Sequence, residues 1–158
     1  MAPIKKRYVR REKYSVEQTA AQVVVPAAGA GGPGQSGIVV VPATTVQGMR
    51  KVKHITVSLA QPGPTTTGPT SVYWVLAYVP QGTGVGTVHV GAGTDMYEPN
   101  QFVMNAGVSD FDAGPVRITT RVSRNLNSGD QIALILCNPS TTSAIGIDSV
   151  CRYAVTLS

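Results

Sequence analysis

The sequence predicts an all-β domain, an antiparallel sandwich of two sheets with about eight short strands, and three observations predict it. Val occurs 23 times and Thr 16 times against only 6 Leu, and β-branched side chains stand and pack well on a pleated sheet. Apolar residues fall in short continuous or alternating runs between Gly- and Pro-rich turns, and no segment keeps the spacing of an amphipathic helix. No repeat recurs at a period of about 20–50 residues, which sets aside propellers and solenoids.

The first 14 residues stand apart from residues 15–158. Lys5, Lys6, Arg7, Arg10, Arg11 and Lys13 oppose only Glu12, so this segment carries the whole formal net charge of +5. From Tyr14 onward the acids and bases balance, which predicts a neutral body behind a cationic arm. A dense basic run repels itself until it meets a polyanion. On nucleic acid each cation would neutralise a phosphate and release counterions, giving sequence-independent, salt-sensitive binding. Tyr8 and Tyr14 bracket the run and are placed to stack on unpaired bases. The plainer readings are a solvated tail that aids solubility, or a nuclear-import tag.

In the body, Ser15–Val25 reads as a strand ending in three valines, followed by a Gly/Ala/Pro-rich loop over 26–37 and a short apolar run at Ile38–Val41. Met49–Ala60 alternates, with Ile55, Val57 and Leu59 on one face and His54, Thr56 and Ser58 on the other. Gln61–Thr70 reads as a loop. Ser71–Val79, which holds the sole tryptophan, Trp74, reads as a central strand. Val85–Val90 and Phe102–Met104 are shorter candidates. Pro115–Asn125 sets Val116, Ile118, Thr120 and Val122 against Arg117, Thr119 and Arg121. Asn127–Asp130 is a turn, Gln131–Cys137 a continuous apolar strand, and Asn138–Gly146 a loop. Asp148–Leu157 alternates again, with Cys151, Tyr153, Val155 and Leu157 together.

Charged residues make up 13% of the chain, about half the roughly 25% usual for a soluble domain, which points to a surface covered by other copies or partners. No run approaches the roughly 20 apolar residues of a membrane-spanning helix, so no membrane partner is expected. The basic N-terminus is followed by no apolar stretch, so it is not read as a secretion signal. Cys137 and Cys151 match no zinc or redox spacing and read as reduced, buried small hydrophobes.

No cofactor, metal site or catalytic machinery is expected. Gly29–Gly34 contains G-x-G-x-x-G, but the β-rich stretch after it holds no acid until Asp95, so it reads as a linker. His54 and His89 lack neighbouring ligands and read as surface or interface residues. Asp95, Glu98, Asp110 and Asp112 cluster in one loop region without the oxygen-rich spacing of a defined calcium loop; the sequence leaves open whether they bind an ion, and pairing with Arg117, Arg121 or Arg124 of a neighbouring copy is the alternative use. A carboxylate hydrolase built on Asp110 and Glu98 is the weakest reading. Arg117 and Arg121 form a stripe facing away from the core, for nucleic acid or for salt bridges to a partner copy, with Arg124 just beyond.

The stretch Met96-Tyr-Glu-Pro-Asn-Gln-Phe-Val-Met-Asn-Ala-Gly-Val-Ser-Asp, then Ala113-Gly-Pro-Val-Arg-Ile and Arg121-Val-Ser-Arg-Asn-Leu-Asn-Ser-Gly-Asp-Gln-Ile, resembles the capsid proteins of small circular single-stranded DNA viruses, the circovirus-like viruses that encode a replication initiator. Val72–Gln81 is similar to the strand and turn that precede these motifs in such proteins, and the resemblance runs from about Lys51 to Leu136. It implies a single jelly roll whose copies close an icosahedral shell, about 60 subunits, around single-stranded DNA. It places the protein in the virion and, during assembly, in the host nucleus. The basic segment matches the family's arm in place and type, so DNA contact and engagement of host nuclear-import machinery carry over to Lys5, Lys6, Arg7, Arg10, Arg11 and Lys13. This arm is shorter and poorer in Arg than the family's. Sixty such arms supply on the order of 300 positive charges against on the order of a thousand or more phosphates, so other cations or the Arg stripe must contribute. The rival from another class is a cellular β-barrel that binds single-stranded nucleic acid, which needs aromatic side chains spread over one face. The sequence leaves open whether Ser15–Val25 belongs to the jelly roll or lies as an extra strand on its inner surface.

Overall fold

The alternating runs pair into two antiparallel sheets that enclose one apolar core. The computed structural model describes residues 14–30, 32–62, 71–83, 102–140 and 142–157, with the side chain of 157 excepted. Nine strands are present among these residues: β1 (Ser15–Val25), β2 (Gly34–Val41), β3 (Arg50–Ala60), β4 (Ser71–Val79), β5 (Val103–Asp110), β6 (Val116–Thr120), β7 (Arg124–Leu126), β8 (Gln131–Asn138) and β9 (Ile145–Leu157).

One sheet runs β1-β9-β3-β6, with β7 also paired to β3, and the other runs β2-β8-β4-β5. β6 and β7 lie end to end along β3, from Leu59↔Val116 to Ile55↔Thr120 and then from Val52↔Arg124 to Arg50↔Leu126. They therefore act as one interrupted strand, and the sandwich has eight strand positions. Among the described strands the chain crosses between the sheets at every step except from β4 to β5 and within the interrupted β6–β7 strand. That winding of two Greek keys into two four-position sheets is a jelly roll. β1 pairs with β9 along its whole length, from Ser15↔Val155 to Val25↔Ile145, so Ser15–Val25 is an edge strand of the jelly roll itself.

The inward side chains form one cluster. Val52, Ile55, Val57 and Leu59 of β3 meet Val72, Trp74 and Leu76 of β4, Ile132, Leu134 and Leu136 of β8, and Ile147, Cys151, Tyr153 and Val155 of β9. β8 is buried on both faces because Ile135 and Cys137 join Val75 and Ala77 in a second, smaller cluster on the outer side of its sheet. This is the double-sided burial that a continuous apolar strand requires.

Four sequence expectations are corrected. β2 begins at Gly34, so the predicted 26–37 loop is strand over its last four residues. A Cβ at Gly34 would lie 1.9 Å from the Pro26 carbonyl oxygen, so this glycine serves a close backbone crossing. β5 occupies Val103–Asp110, running six residues beyond the short Phe102–Met104 candidate. Its Gly107 faces Trp74 across the β4–β5 ladder, and a Cβ there would meet indole Cζ2 at 2.6 Å. β9 begins three residues early, at Ile145. Pro115–Asn125 is broken after Thr120, whose Oγ1 accepts the Val122 N–H at 3.2 Å, and Val122 is exposed rather than inward. The Val85–Val90 run lies outside the described residues.

Candidate nucleic-acid interface

The alternation of β3 turns Lys51 and Lys53 outward while Val52, Ile55, Val57 and Leu59 are buried. His54, with φ 54°, adopts a left-handed conformation where the β3–β9 register shifts between Lys53 and Thr56. This bulge leaves Lys53 and His54 side by side on the outer face before the alternation resumes. On the neighbouring strands Arg152 lies opposite Thr56, and Arg117 lies opposite Ser58. Arg117 and Arg152 are both exposed. Arg121 is exposed in the link that follows β6. Tyr14, where the described chain begins, packs under Lys53, with Nζ 3.4 Å from the ring centroid.

Arg124 does not share the face of the Arg117 and Arg121 stripe. Arg117 and Arg121 face outward, as the sequence pattern expects. Arg124 instead shares the inner side with Leu126 and stacks over the Tyr78 ring, its guanidinium carbon 4.3 Å from the centroid. It belongs to a polar clasp at one end of the sandwich. There the buried Asp130 carboxylate accepts the Tyr78 hydroxyl at 2.8 Å, the Asn127 N–H at 2.8 Å and the Gln81 N–H at 3.0 Å. Burial pushes the Asp130 carboxyl up, but these donated bonds outweigh it, and the group sits below its ordinary range. Burial, and then the bond to Asp130, raise the Tyr78 phenol. Arg50 completes the clasp, with Nη2 donating to the Pro42 carbonyl at 3.0 Å.

Lys5, Lys6, Arg7, Arg10, Arg11 and Lys13 lie outside the described residues, as do Asp95, Glu98 and His89. Asp110 ends β5, and its Oδ1 accepts the Asp112 N–H at 3.0 Å in a turn. Among the described residues no three His, Cys, Asp or Glu side chains come together as metal ligands. Cys137 and Cys151 are buried free thiols, and burial raises Cys137 to about 11.

Sequence reading missed Lys51, Lys53 and Arg152 as members of one surface. They sit 99 or more positions apart across β3 and β9, and only the sheet pairing joins them.

No protein-family profile and no curated protein sequence matches the chain. Among solved structures, the chain is similar to the BFDV capsid protein crystallised as a decamer, with a TM-score of 0.42 and 9% identity over 92% of this chain and 99% of that one. The Gt-strain infectious bursal disease virus structure gives a TM-score of 0.23 at 7% identity, over 92% of this chain and 41% of that one. The Gx-strain structure gives 0.25 at 10% identity, over 93% and 42%. The jelly-roll assignment rests on the strand order and registers themselves.

Proposed function

We propose that this protein is a viral coat protein that assembles into a closed icosahedral shell and packages single-stranded DNA through its basic N-terminal segment. The observation that carries this reading is a jelly roll whose first strand directly follows a segment of six cations and one acid. The sandwich supplies a rigid tile with little charge of its own, and the preceding cations supply sequence-independent affinity for phosphate. The outer edge of β1 supports self-association. Among the described residues it has no strand partner, and its eleven residues carry neither Lys nor Pro to blunt it. Val16 and Val24 on this strand are 58% and 63% exposed.

The rival barrel needs aromatic platforms. Trp74 and Tyr153 are buried in the core, and Tyr78 is held by Asp130 and Arg124, so these three rings are not offered to bases. Presence in the virion, passage through the host nucleus and engagement of the import machinery follow from the coat-protein reading.

Removal of residues 1–13 tests the packaging role. Particles of the shortened chain are expected to form but to retain little nuclease-protected DNA. Shortened particles that protect as much DNA as the full chain would overturn the role given to the arm.

A further inference from the structure

All seven Lys and Arg residues from Tyr14 onward belong to the five-stranded sheet or to the β6–β7 link at its rim, whereas β2, β4, β5 and β8 carry none. The body is neutral in sum but strongly polarised. Arg50 and Arg124 are used inside the clasp, which leaves Lys51, Lys53, Arg117, Arg121 and Arg152 on the outer face or rim of that sheet. Among the described residues Asp148 is the one acid on this face, at the far end of β9 and opposite Ala60. Glu17 is turned the other way, where its carboxylate accepts the Tyr153 hydroxyl.

We propose that this outer face is a second phosphate-binding surface, turned toward single-stranded nucleic acid, with Lys51, Arg117 and Arg152 neutralising phosphates. The proposal deepens the coat-protein reading and rests on it for the orientation of the face. Three observations carry it. The cations are spread over three adjacent strands at staggered positions, with Lys51 opposite Thr156, Arg152 opposite Thr56 and Arg117 opposite Ser58, a row that an extended polyanion can follow. Lys51, Arg117 and Arg152 have no carboxylate partner among the described residues. Tyr14, which the basic segment directly precedes in sequence, lies on the same face with its ring under the Lys53 ammonium.

The face also answers the shortage of charge in the arms. Five further cations per copy, offset by Asp148, add on the order of 200–300 charges to a shell of about 60 copies. The opposite sheet, with no basic residue in its strands, is left for other contacts.

The test uses the full chain and a labelled oligothymidylate, with the affinity followed between about 50 and 200 mM salt. Lys51→Gln, Arg117→Gln and Arg152→Gln combined are expected to lower the slope of log affinity against log salt by about 2, since each single-strand phosphate contact contributes about 0.7. Each single substitution is expected to contribute about 0.7, which keeps the test valid if the triple variant folds poorly. The charge-preserving set Lys51→Arg, Arg117→Lys and Arg152→Lys is expected to keep the slope. An unchanged slope in folded Gln variants overturns the proposal. So does a variant set that loses binding to polyglutamate while keeping its oligothymidylate slope, since the face would then serve an acidic protein. The assay reads dilute protein, so a chain that forms no shell but shows the slope change refutes the coat-protein reading alone.

Discussion

Replacing Asp130 tests the clasp that closes one end of the sandwich. Its carboxylate joins β4, through Tyr78 and the following Gln81 N–H, to the turn before β8, through the Asn127 N–H, with all three donors within 3.0 Å. A hydrogen bond to a charged group contributes about 1.5–3 kcal/mol, and a buried donor left without an acceptor costs about 1–3 kcal/mol. Asp130→Ala orphans three donors at a site where the acceptor residue is 4% exposed, so we expect a loss of about 3–5 kcal/mol. Asp130→Asn keeps the shape but points an amide N–H₂ at one donor and should cost about 1–3 kcal/mol. Urea unfolding followed by the fluorescence of Trp74 reads both, and Tyr78→Phe in a double-mutant cycle isolates the phenol bond. The carboxyl is lowered in the folded state, so its stabilisation is present above its ordinary value of 3.8 and is lost as pH falls through the folded value. The wild type should therefore lose stability below about pH 4 more steeply than Asp130→Asn does. A loss under 1 kcal/mol for Asp130→Ala, or identical acid profiles, would refute this account of the clasp.

Other positions give equally direct outcomes. Gly107→Val drives a side chain into the Trp74 indole, where even a Cβ would lie 2.6 Å from Cζ2, and should lower stability by about 2–3 kcal/mol in thermal or urea unfolding. Cys137, raised by burial to about 11, should resist alkylation at neutral pH in the folded protein and react at once in denaturant, as a thiol-counting assay would show. The Tyr78 and Tyr153 phenols are both raised, first by burial and then by their carboxylate partners. Their contribution is present below the ordinary value near 10 and lost as pH rises beyond it, so a pH titration should show alkaline unfolding that Tyr153→Phe shifts to higher pH. Val16→Lys with Val24→Lys places like charges along the free β1 edge and should weaken self-association in sedimentation at unchanged thermal stability.

The strands were legible wherever residue alternation was local. β1 and β4 have the bounds that apolar runs and turn residues predict, and Ile55, Val57 and Leu59 are buried together as their spacing requires. Only the Phe102–Met104 end of β5 was legible, because the alternate positions beyond it are Asn105, Gly107 and Ser109, and Gly107 leaves the room that the Trp74 indole fills. Gly34 looked like linker flexibility and is instead a crossing where no side chain fits over Pro26. The inward turn of Arg124 comes from its pairing with Val52 in a separate strand, since the break after Thr120 ends the alternation, as the exposed Val122 shows. The cationic face was not available in the sequence. Lys51, Arg117 and Arg152 meet only through pairings distant in sequence, and a sum of charges over the body conceals their segregation to one sheet.

Sedimentation velocity of the full-length protein at moderate salt, with the ratio of nucleic-acid to protein absorbance read across each boundary, tests the central claim most directly. The account predicts one large, uniform species that carries nuclease-protected single-stranded DNA. A monomer or dimer at every salt concentration would contradict shell assembly as a property of this chain and leave an isolated nucleic-acid-binding domain in its place.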